Sequence, residues 1–204
     1  MSEEKQAAPE NRSFKYQVWI MLLMVAVVMV AGFLMMPQTE EQREKLISLL
    51  GTTNQGELVK PAVAVSAVLP AEMPDVAAKW KVVIVAGGDC DSGCEKMLYD
   101  TRQVHIRIGK DSRRIKRILL SGREIGSERL EKLEKDNPYL TVHPLQKSVL
   151  MESLRGTSAE WDMLESRYFV VTPDNKAILY YTKDHESGGL LEDLKHLLKY
   201  SPNR

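Results

Sequence analysis

One stretch decides the fold of this chain: Lys81-Val-Val-Ile-Val-Ala-Gly-Gly-Asp-Cys90-Asp-Ser-Gly-Cys94. Its run 82–86 is apolar and rich in β-branched residues, which is typical of a strand covered on both faces. The two glycines that follow allow a sharp turn. Apolar or small residues then recur at helical spacing: Cys94, Met97, Leu98, Thr101, Val104 and Ile108. We therefore predict a strand over 81–86 and a helix over 91–108.

Both cysteines of the protein lie where this helix begins. A helix N-terminus lowers the pKa of a thiol, so a reactive or metal-binding thiolate is favoured here. Asp89 and Asp91 flank Cys90, and a nearby negative charge raises the pKa of a thiol. Because these effects oppose each other, we do not expect a strongly acidic thiol.

Three roles for Cys90 and Cys94 remain open at this point. They exchange electrons with another dithiol or a metal chaperone, they bind a soft metal such as Cu(I), or they are an inert local disulfide or ordinary buried residues. A disulfide between residues so close in sequence stabilises a fold little, which favours redox or metal use. In redox use, Cys90 lies at the more exposed start of the helix and attacks, and Cys94 resolves the mixed disulfide.

The segment Val18–Met36 carries no charged residue and is long enough to cross a bilayer as a helix. Arg12 and Lys15 precede it, and Glu40 and Glu41 follow it, which puts the N-terminus in the cytoplasm. A cleaved signal peptide is the alternative, but the apolar run is too long and lacks a small-x-small cleavage site. We therefore predict a single-pass anchor in the inner (plasma) membrane.

The predicted orientation places the rest of the chain in an oxidising compartment, where a disulfide persists. In a bacterium this compartment is the periplasm, and in an organelle it is the intermembrane space. We divide the chain into a cytoplasmic tail (1–17), a transmembrane helix (18–36), a stalk or linker (37–74) and a soluble domain (75–204). An edge strand or hairpin is expected within the linker.

The soluble domain alternates strands and helices. Strands are predicted over 81–86, 115–120, 139–143, 168–172 and 177–181, and helices over 91–108, 124–135, 148–154 and from Gly188 onward. This order, with a dithiol after the first strand, predicts an α/β thioredoxin-like sandwich, a mixed sheet flanked by helices. An unrelated α/β domain with the same order is the alternative.

A single anchor followed by such a domain with Cys90-Asp-Ser-Gly-Cys94 resembles the Sco/SenC family of cytochrome oxidase assembly proteins. The segments 51–58 and 167–176 resemble the start and the late hairpin of that family's domain. The resemblance implies thiol–disulfide exchange or Cu(I) handling by Cys90 and Cys94 during oxidase assembly. It also implies a protein partner such as an oxidase subunit or a copper or redox chaperone.

Two departures from known patterns stand out. Sco proteins bind copper through their two cysteines and a histidine shortly before the late hairpin, but residues 159–167 contain no histidine here. No proline precedes Tyr168, where thioredoxins carry their cis-proline. His185 is the histidine that would replace the missing ligand, with a solvated loop position as the alternative. The enzyme class predicted is at most a thiol–disulfide oxidoreductase, and the rival function is a non-catalytic scaffold.

The remaining charged features indicate no further chemistry. Formal net charge is zero, and no phosphate loop or nucleotide fingerprint is present, so no nucleic-acid partner is predicted. The basic run Arg113–Arg117 either docks an acidic partner or lipid headgroup, or forms a solvated strand edge, which the alternation of apolar residues favours. His105 is predicted to be partly buried with its hydrogen bonds satisfied.

Overall fold

The computed structural model describes residues 12–35, 54–70 and 79–201. The chain divides into two compact units, residues 1–53 and 54–204. In the first unit, helix α1 spans Arg12–Met35. Within the described residues, α1 is the one helix long and apolar enough to cross a membrane. Most of the predicted tail and stalk, residues 1–11 and 36–53, lies outside the described part of the chain.

The second unit contains a six-stranded mixed sheet in the order β1-β6-β5-β2-β3-β4. The strands are β1 (Glu57–Ala64), β2 (Trp80–Ala86), β3 (Ile115–Ser121), β4 (Leu140–Pro144), β5 (Arg167–Val171) and β6 (Lys176–Tyr181). The helices are α2 (Ser92–Ile108), α3 (Ser127–Asp136), α4 (Lys147–Leu154) and α5 (Ser187–Tyr200). Each strand and helix predicted after residue 80 is present, with shifts of a few residues at the ends.

The connections give the sheet its mixed character. Strands β2, β3 and β4 are parallel to one another, and α2 and α3 lie in the crossovers between them. Strand β5 pairs antiparallel with β2, β6 pairs antiparallel with β5, and β1 pairs antiparallel with β6. The predicted α/β thioredoxin-like sandwich is therefore confirmed in its architecture, two parallel crossovers followed by an antiparallel hairpin.

Each face of the sheet has its own apolar core. On one face, α2 and α5 cover the sheet through buried residues that include Met97, Leu98, Val104, Leu190 and Leu194. On the other face, α4 and the segment 65–69 cover it, with Leu150, Leu154, Val68, Val83 and Phe169 among the buried residues. Every residue of β2 is buried, because helices cover both faces and strands flank both edges.

The part of the predicted linker that is described contributes to the sheet. Strand β1 lies within the segment 37–74, and the second compact unit spans residues 54–204. Prolines and small residues in this segment weaken the sequence signal for a strand. Strand β1 is an edge strand, as the alternation of its valines indicates, and it pairs with β6 on one side only.

The basic run Arg113–Arg117 does not form the solvated strand edge that the sequence favours. Strand β3 lies between β2 and β4, and the side chain of Arg117 is 1% exposed. Arg114 donates hydrogen bonds to the carbonyl oxygens of Leu198 and Ser201, where α5 ends. The prediction was wrong because hydrogen bonding of β3 on both edges cannot be read from alternation alone.

The buried carboxylate of Asp193 on α5 holds the start of this unit in place. Its oxygens accept hydrogen bonds from the amide groups of Gln55 and Gly56, each at 3.0 Å. They also accept one from the hydroxyl of Tyr181 at 2.5 Å. Burial and the bond to Asp193 raise the pKa of Tyr181 well above its ordinary value. The tyrosine therefore stays protonated and acts as a donor.

Candidate redox site

Cys90 and Cys94 form a disulfide, with their Cα atoms 5.1 Å apart. Strand β2 ends at Ala86, and Cys90 lies in the turn just before α2, while Cys94 is the third residue of the helix. Cys90 is 7% exposed and Cys94 is fully buried. Cys90 is thus the member of the pair that a partner thiol reaches more readily.

Asp91 fixes the start of α2 beside the disulfide. As the N-cap, its side chain accepts a hydrogen bond from the amide of Cys94 at 2.9 Å, and its carbonyl oxygen accepts one from the amide of Glu95 at 2.9 Å. An N-cap carboxylate of this kind satisfies a helix donor that would otherwise lack a partner. The carboxylate of Asp91, which is adjacent to Cys90 in the sequence, therefore caps α2.

Two arginines offset the negative charges around Cys90. Arg123, just after β3, forms an ion pair with Asp89 at 2.6 Å. Arg129 on α3 donates a hydrogen bond to the carbonyl oxygen of Cys90 at 2.6 Å, and it lies 3.4 Å from Glu95. The charges beside the cysteines are thus more balanced than the sequence around Cys90 suggests.

These arginines line a small cavity that reaches Cys90. Its volume is about 220 Å³. The lining residues include Cys90, Ser121, Arg123, Gly126 and Arg129. Asp89 and Glu124 line the cavity too, so a partner group that enters it meets Cys90 together with two guanidinium groups and two carboxylates.

A second segment packs against the turn that precedes the disulfide. A Cβ atom at Gly87 would lie 2.0 Å from the carbonyl oxygen of Met163, so only glycine fits there. Met163 is buried and has a positive φ of 58°. The next residue, Leu164, is exposed, and Glu165 forms an ion pair with Lys183 at 2.6 Å. The loop before β5 thus borders the turn that leads to Cys90.

His185 is held by neighbours other than the cysteines. Its Nδ1 accepts a hydrogen bond from the amide of Thr182 at 3.0 Å, and its Nε2 lies 4.0 Å from a carboxylate oxygen of Glu57. Among residues 12–35, 54–70 and 79–201, no group of three or more His, Cys, Asp or Glu side chains is placed to hold a metal ion. The metal-ligand role of Cys90, Cys94 and His185 stays a prediction.

Arg123 and Arg129 belong to the site, although no motif in the sequence predicts it. Both lie more than thirty positions beyond Cys90 in the sequence. No local pattern distinguishes them from the other charged residues around α3. Only the predicted fold could have placed these arginines near Cys90, because the carboxyl end of β3 lies beside the carboxyl end of β2 in a parallel pair.

The fold and the disulfide define a thioredoxin-like protein with a Cys-x-x-x-Cys site at the start of its first crossover helix. The family model described as transmembrane-like, thioredoxin-like, C-terminal domain matches residues 80–201. The chain belongs to this family. Comparison with the sequences of curated proteins gives no match.

Solved structures with a similar chain path include thiol–disulfide and Sco proteins. The solution structure of a thiol:disulfide interchange protein from Bacteroides sp. is 14% identical, with 72% of this chain and 92% of that chain covered and a TM-score of 0.46. Copper-bound yeast Sco1 is 9% identical, with 74% and 97% covered and a TM-score of 0.49. BsSco, a member of the Sco family of cytochrome c oxidase assembly proteins, is 12% identical, with 74% and 98% covered and a TM-score of 0.47.

Proposed function

We propose that this protein carries out thiol–disulfide exchange through Cys90 and Cys94, in a domain tethered to a membrane by α1. The observation that carries the proposal is the Cys90–Cys94 disulfide at the start of α2, with Cys90 in a cavity lined by two arginines. A disulfide that closes so short a loop adds little stability, so a purely structural role gives a weak reason for its position.

The exchange proceeds in two balanced steps when a reduced dithiol partner reacts with the oxidised protein. A thiolate of the partner attacks the Sγ atom of Cys90, the Cys90–Cys94 bond breaks, and Cys94 leaves as a thiolate. The partner's second thiolate then attacks its own sulfur in the mixed disulfide and releases Cys90. The partner loses two electrons as it forms a disulfide, and this protein gains them.

The position of Cys94 suits its role as the leaving group. It lies in the first turn of α2, where the aligned peptide dipoles favour a negative charge. In the reverse direction, reduced Cys90 attacks a partner disulfide because it is the more exposed of the two, and Cys94 resolves the mixed disulfide.

The finer assignment is a role in assembly of a respiratory cytochrome c oxidase, with the domain on the periplasmic side of the inner membrane. The resemblance of the sequence to the Sco/SenC family supports it, together with the anchor-like helix α1. The proposed partner is an oxidase subunit or a copper or redox chaperone whose own thiols exchange with Cys90.

Copper handling is the alternative chemistry for the same pair. The reduced cysteines supply two soft ligands for Cu(I), but the described residues place no third ligand with them. The residues therefore do not complete a copper site of the Sco kind, and we derive no copper step. Titration of the reduced full chain with Cu(I) against a competing chelator tests this alternative, with the Cys90→Ser/Cys94→Ser variant as the control.

The exchange itself is tested on the full chain in detergent micelles equilibrated with glutathione redox buffers. Thiols are trapped with a maleimide-polyethylene glycol, and the reduced fraction is read from the shift in mobility. We expect a single two-electron transition and a trapped mixed disulfide in the Cys94→Ser variant. A disulfide that glutathione does not reduce in the folded chain would overturn the proposal. If cells with the Cys90→Ser/Cys94→Ser variant still mature the oxidase fully, the non-catalytic scaffold function is favoured instead.

A further inference from the structure

Three of the four buried side-chain polar atoms that lack a hydrogen-bond partner in the described part of the chain share one region. They are Nε of Arg102, Nδ1 of His105 and Nη1 of Arg117, and the fourth is Oδ1 of Asn175. Arg102 and His105 are one turn apart on α2, and Arg117 lies on β3 beneath that helix. Unpartnered buried polar atoms are rare in folded proteins, so a cluster of them calls for an explanation.

Arg117 is the buried centre of this cluster. Its Nη2 donates to the carbonyl oxygen of Leu98 at 2.7 Å, to Oγ1 of Thr101 at 3.0 Å and to Oδ1 of Asn137 at 3.4 Å. Its Nε donates to Oγ1 of Thr101 at 3.3 Å. All of these acceptors are uncharged. A guanidinium buried without a negative partner is unfavourable, because it has lost its hydration and gained no opposite charge.

The charges around Arg117 add to this imbalance. Burial and the positive charge of Arg102 lower the pKa of Arg117 to about 10, and no carboxylate acts in the opposite direction. Burial lowers the pKa of His105 too, and Arg117 and Lys116 lower it further, so His105 adds no compensating charge. The region therefore has an uncompensated positive charge next to unpartnered donors.

A groove between α2 and α3 gives a ligand access to this region. Its volume is about 720 Å³. Arg102 lines the groove directly, and so do Leu98 and Asn137, the two residues whose oxygens hold Arg117. Arg129 and Lys132 line it from α3. The guanidinium of Arg117 thus lies immediately behind the wall that a ligand in the groove would contact.

Three acidic residues, Glu95, Glu128 and Asp136, line the same groove. Glu95 is engaged with Arg129 at 3.4 Å. Glu128 and Asp136 line the groove from α3, and no ion pair joins either of them to Arg102 or Arg117 among the described residues. Arg102 therefore lines the groove without an ion-paired carboxylate among the described residues.

We propose that the groove between α2 and α3 is an oxyanion-binding site, in which Arg102 contacts a carboxylate or phosphate directly and Arg117 supplies a second positive charge from behind Leu98 and Asn137. Guanidinium groups bind such planar or tetrahedral oxyanions through paired N–H donors. A carboxylate would come from an acidic segment of a protein partner, and a phosphate from a small phosphorylated molecule. Arg129 lines both this groove and the cavity beside Cys90, but the proposed binding does not depend on the exchange reaction.

The test uses the full chain in detergent micelles, titrated calorimetrically at constant ionic strength with inorganic phosphate and, separately, with succinate. We expect saturable binding of at least one of them. Arg102→Gln should weaken it by about tenfold or more, the size expected for a charge-assisted contact. Arg107→Gln is the matched control, because Arg107 is an exposed arginine on the same helix and does not line the groove.

The outcomes separate the two sources of the oxyanion. Preference for phosphate indicates a small phosphorylated ligand, and preference for succinate indicates an acidic protein segment. Equal loss of affinity in the Arg102→Gln and Arg107→Gln variants would overturn the site, since it would show only a general charge effect. The proposed site would also be overturned if neither phosphate nor succinate showed saturable binding. Arg102 is only partly buried, so its replacement is expected to preserve the fold. The buried Arg117 stays in place in this variant.

Discussion

The guanidinium group of Arg129 donates a hydrogen bond to the carbonyl oxygen of Cys90, with a distance of 2.6 Å between nitrogen and oxygen. This contact joins α3 to the turn that carries the more exposed cysteine. It also brings a fixed positive charge to the cavity beside the disulfide. When the disulfide is reduced, this positive charge lies beside Cys90 and favours the reactive thiolate form.

The Arg129→Gln variant should react more slowly at Cys90, because the thiolate loses a nearby positive charge. In a Cys94→Ser background we expect the rate of alkylation by iodoacetamide at pH 7 to fall about two- to fivefold, which corresponds to ~0.5–1 kcal/mol for a partly exposed charge pair. Arg155→Gln is the control, since Arg155 pairs with Glu152 on α4, outside this cavity. Equal rates in the two variants would show that Arg129 acts through structure alone.

Gly87 is expected to tolerate no side chain. In Gly87→Ala the new Cβ atom would lie 2.0 Å from the carbonyl oxygen of Met163, and backbone atoms cannot move aside as a flexible side chain can. We expect the free energy of unfolding to fall by about 1–3 kcal/mol, the usual effect of overpacking. Chemical unfolding followed by circular dichroism measures it.

The neighbouring glycine provides the control for this variant. A Cβ atom at Gly88 meets nothing within 4 Å, so Gly88→Ala should change stability little. Similar losses in both variants would mean that the turn needs glycine for its backbone conformation and that the approach of Met163 is unimportant.

Asp193 is expected to be the main link between α5 and the start of the domain. In Asp193→Asn, the amide groups of Gln55 and Gly56 and the hydroxyl of Tyr181 lose their charged acceptor. Hydrogen bonds to charged groups contribute more than neutral ones, so we expect a loss of about 2–4 kcal/mol in unfolding free energy. Glu192→Gln, at an exposed position on the same helix, should be nearly neutral, and an equally large loss there would refute the explanation.

The sequence predicted the elements whose patterns are local. The apolar run of β2 and the helical spacing from Cys94 to Ile108 each depend on a few consecutive residues, and each is found where it was expected. The position of the cysteines at the start of α2 follows from the same stretch, as does the greater exposure of Cys90. Local spacing is enough for these features because helices and strands have fixed periods.

The features that depend on pairing between distant segments were not predicted. An edge strand was expected near the start of the domain, but its pairing with β6, more than a hundred residues away along the chain, was not. The alternation of apolar residues around Arg117 predicts a solvated strand edge. In the structure, β3 has a strand on each side. Arg123 and Arg129 join the site only because parallel strands bring their carboxyl ends together.

His105 should make the stability of the fold depend on pH in the weakly acidic range. Burial lowers the pKa of His105 below its ordinary value of 6.5, and the charges of Arg117 and Lys116 on β3 lower it further. The unfolded chain therefore takes up a proton at a pH at which the folded chain does not. Unfolding becomes easier as the pH falls through about 6.5, since protons bind preferentially to the unfolded state.

The His105→Gln variant should lose this component of the pH dependence. Between pH 7.5 and 5.5 we expect a smaller fall in unfolding free energy for His105→Gln than for the unmodified chain, whereas His196→Gln, at an exposed position on α5, should behave as the unmodified chain does. Replacement of His105 also removes its stacking on the ring of Tyr139, so the comparison concerns the slope with pH and not the absolute stability. If an oxyanion binds beside Arg102 as proposed, phosphate should reduce the slope of the unmodified chain, because its negative charge favours the protonated ring. Identical slopes for His105→Gln and His196→Gln would show that His105 does not titrate differently in the folded and unfolded states.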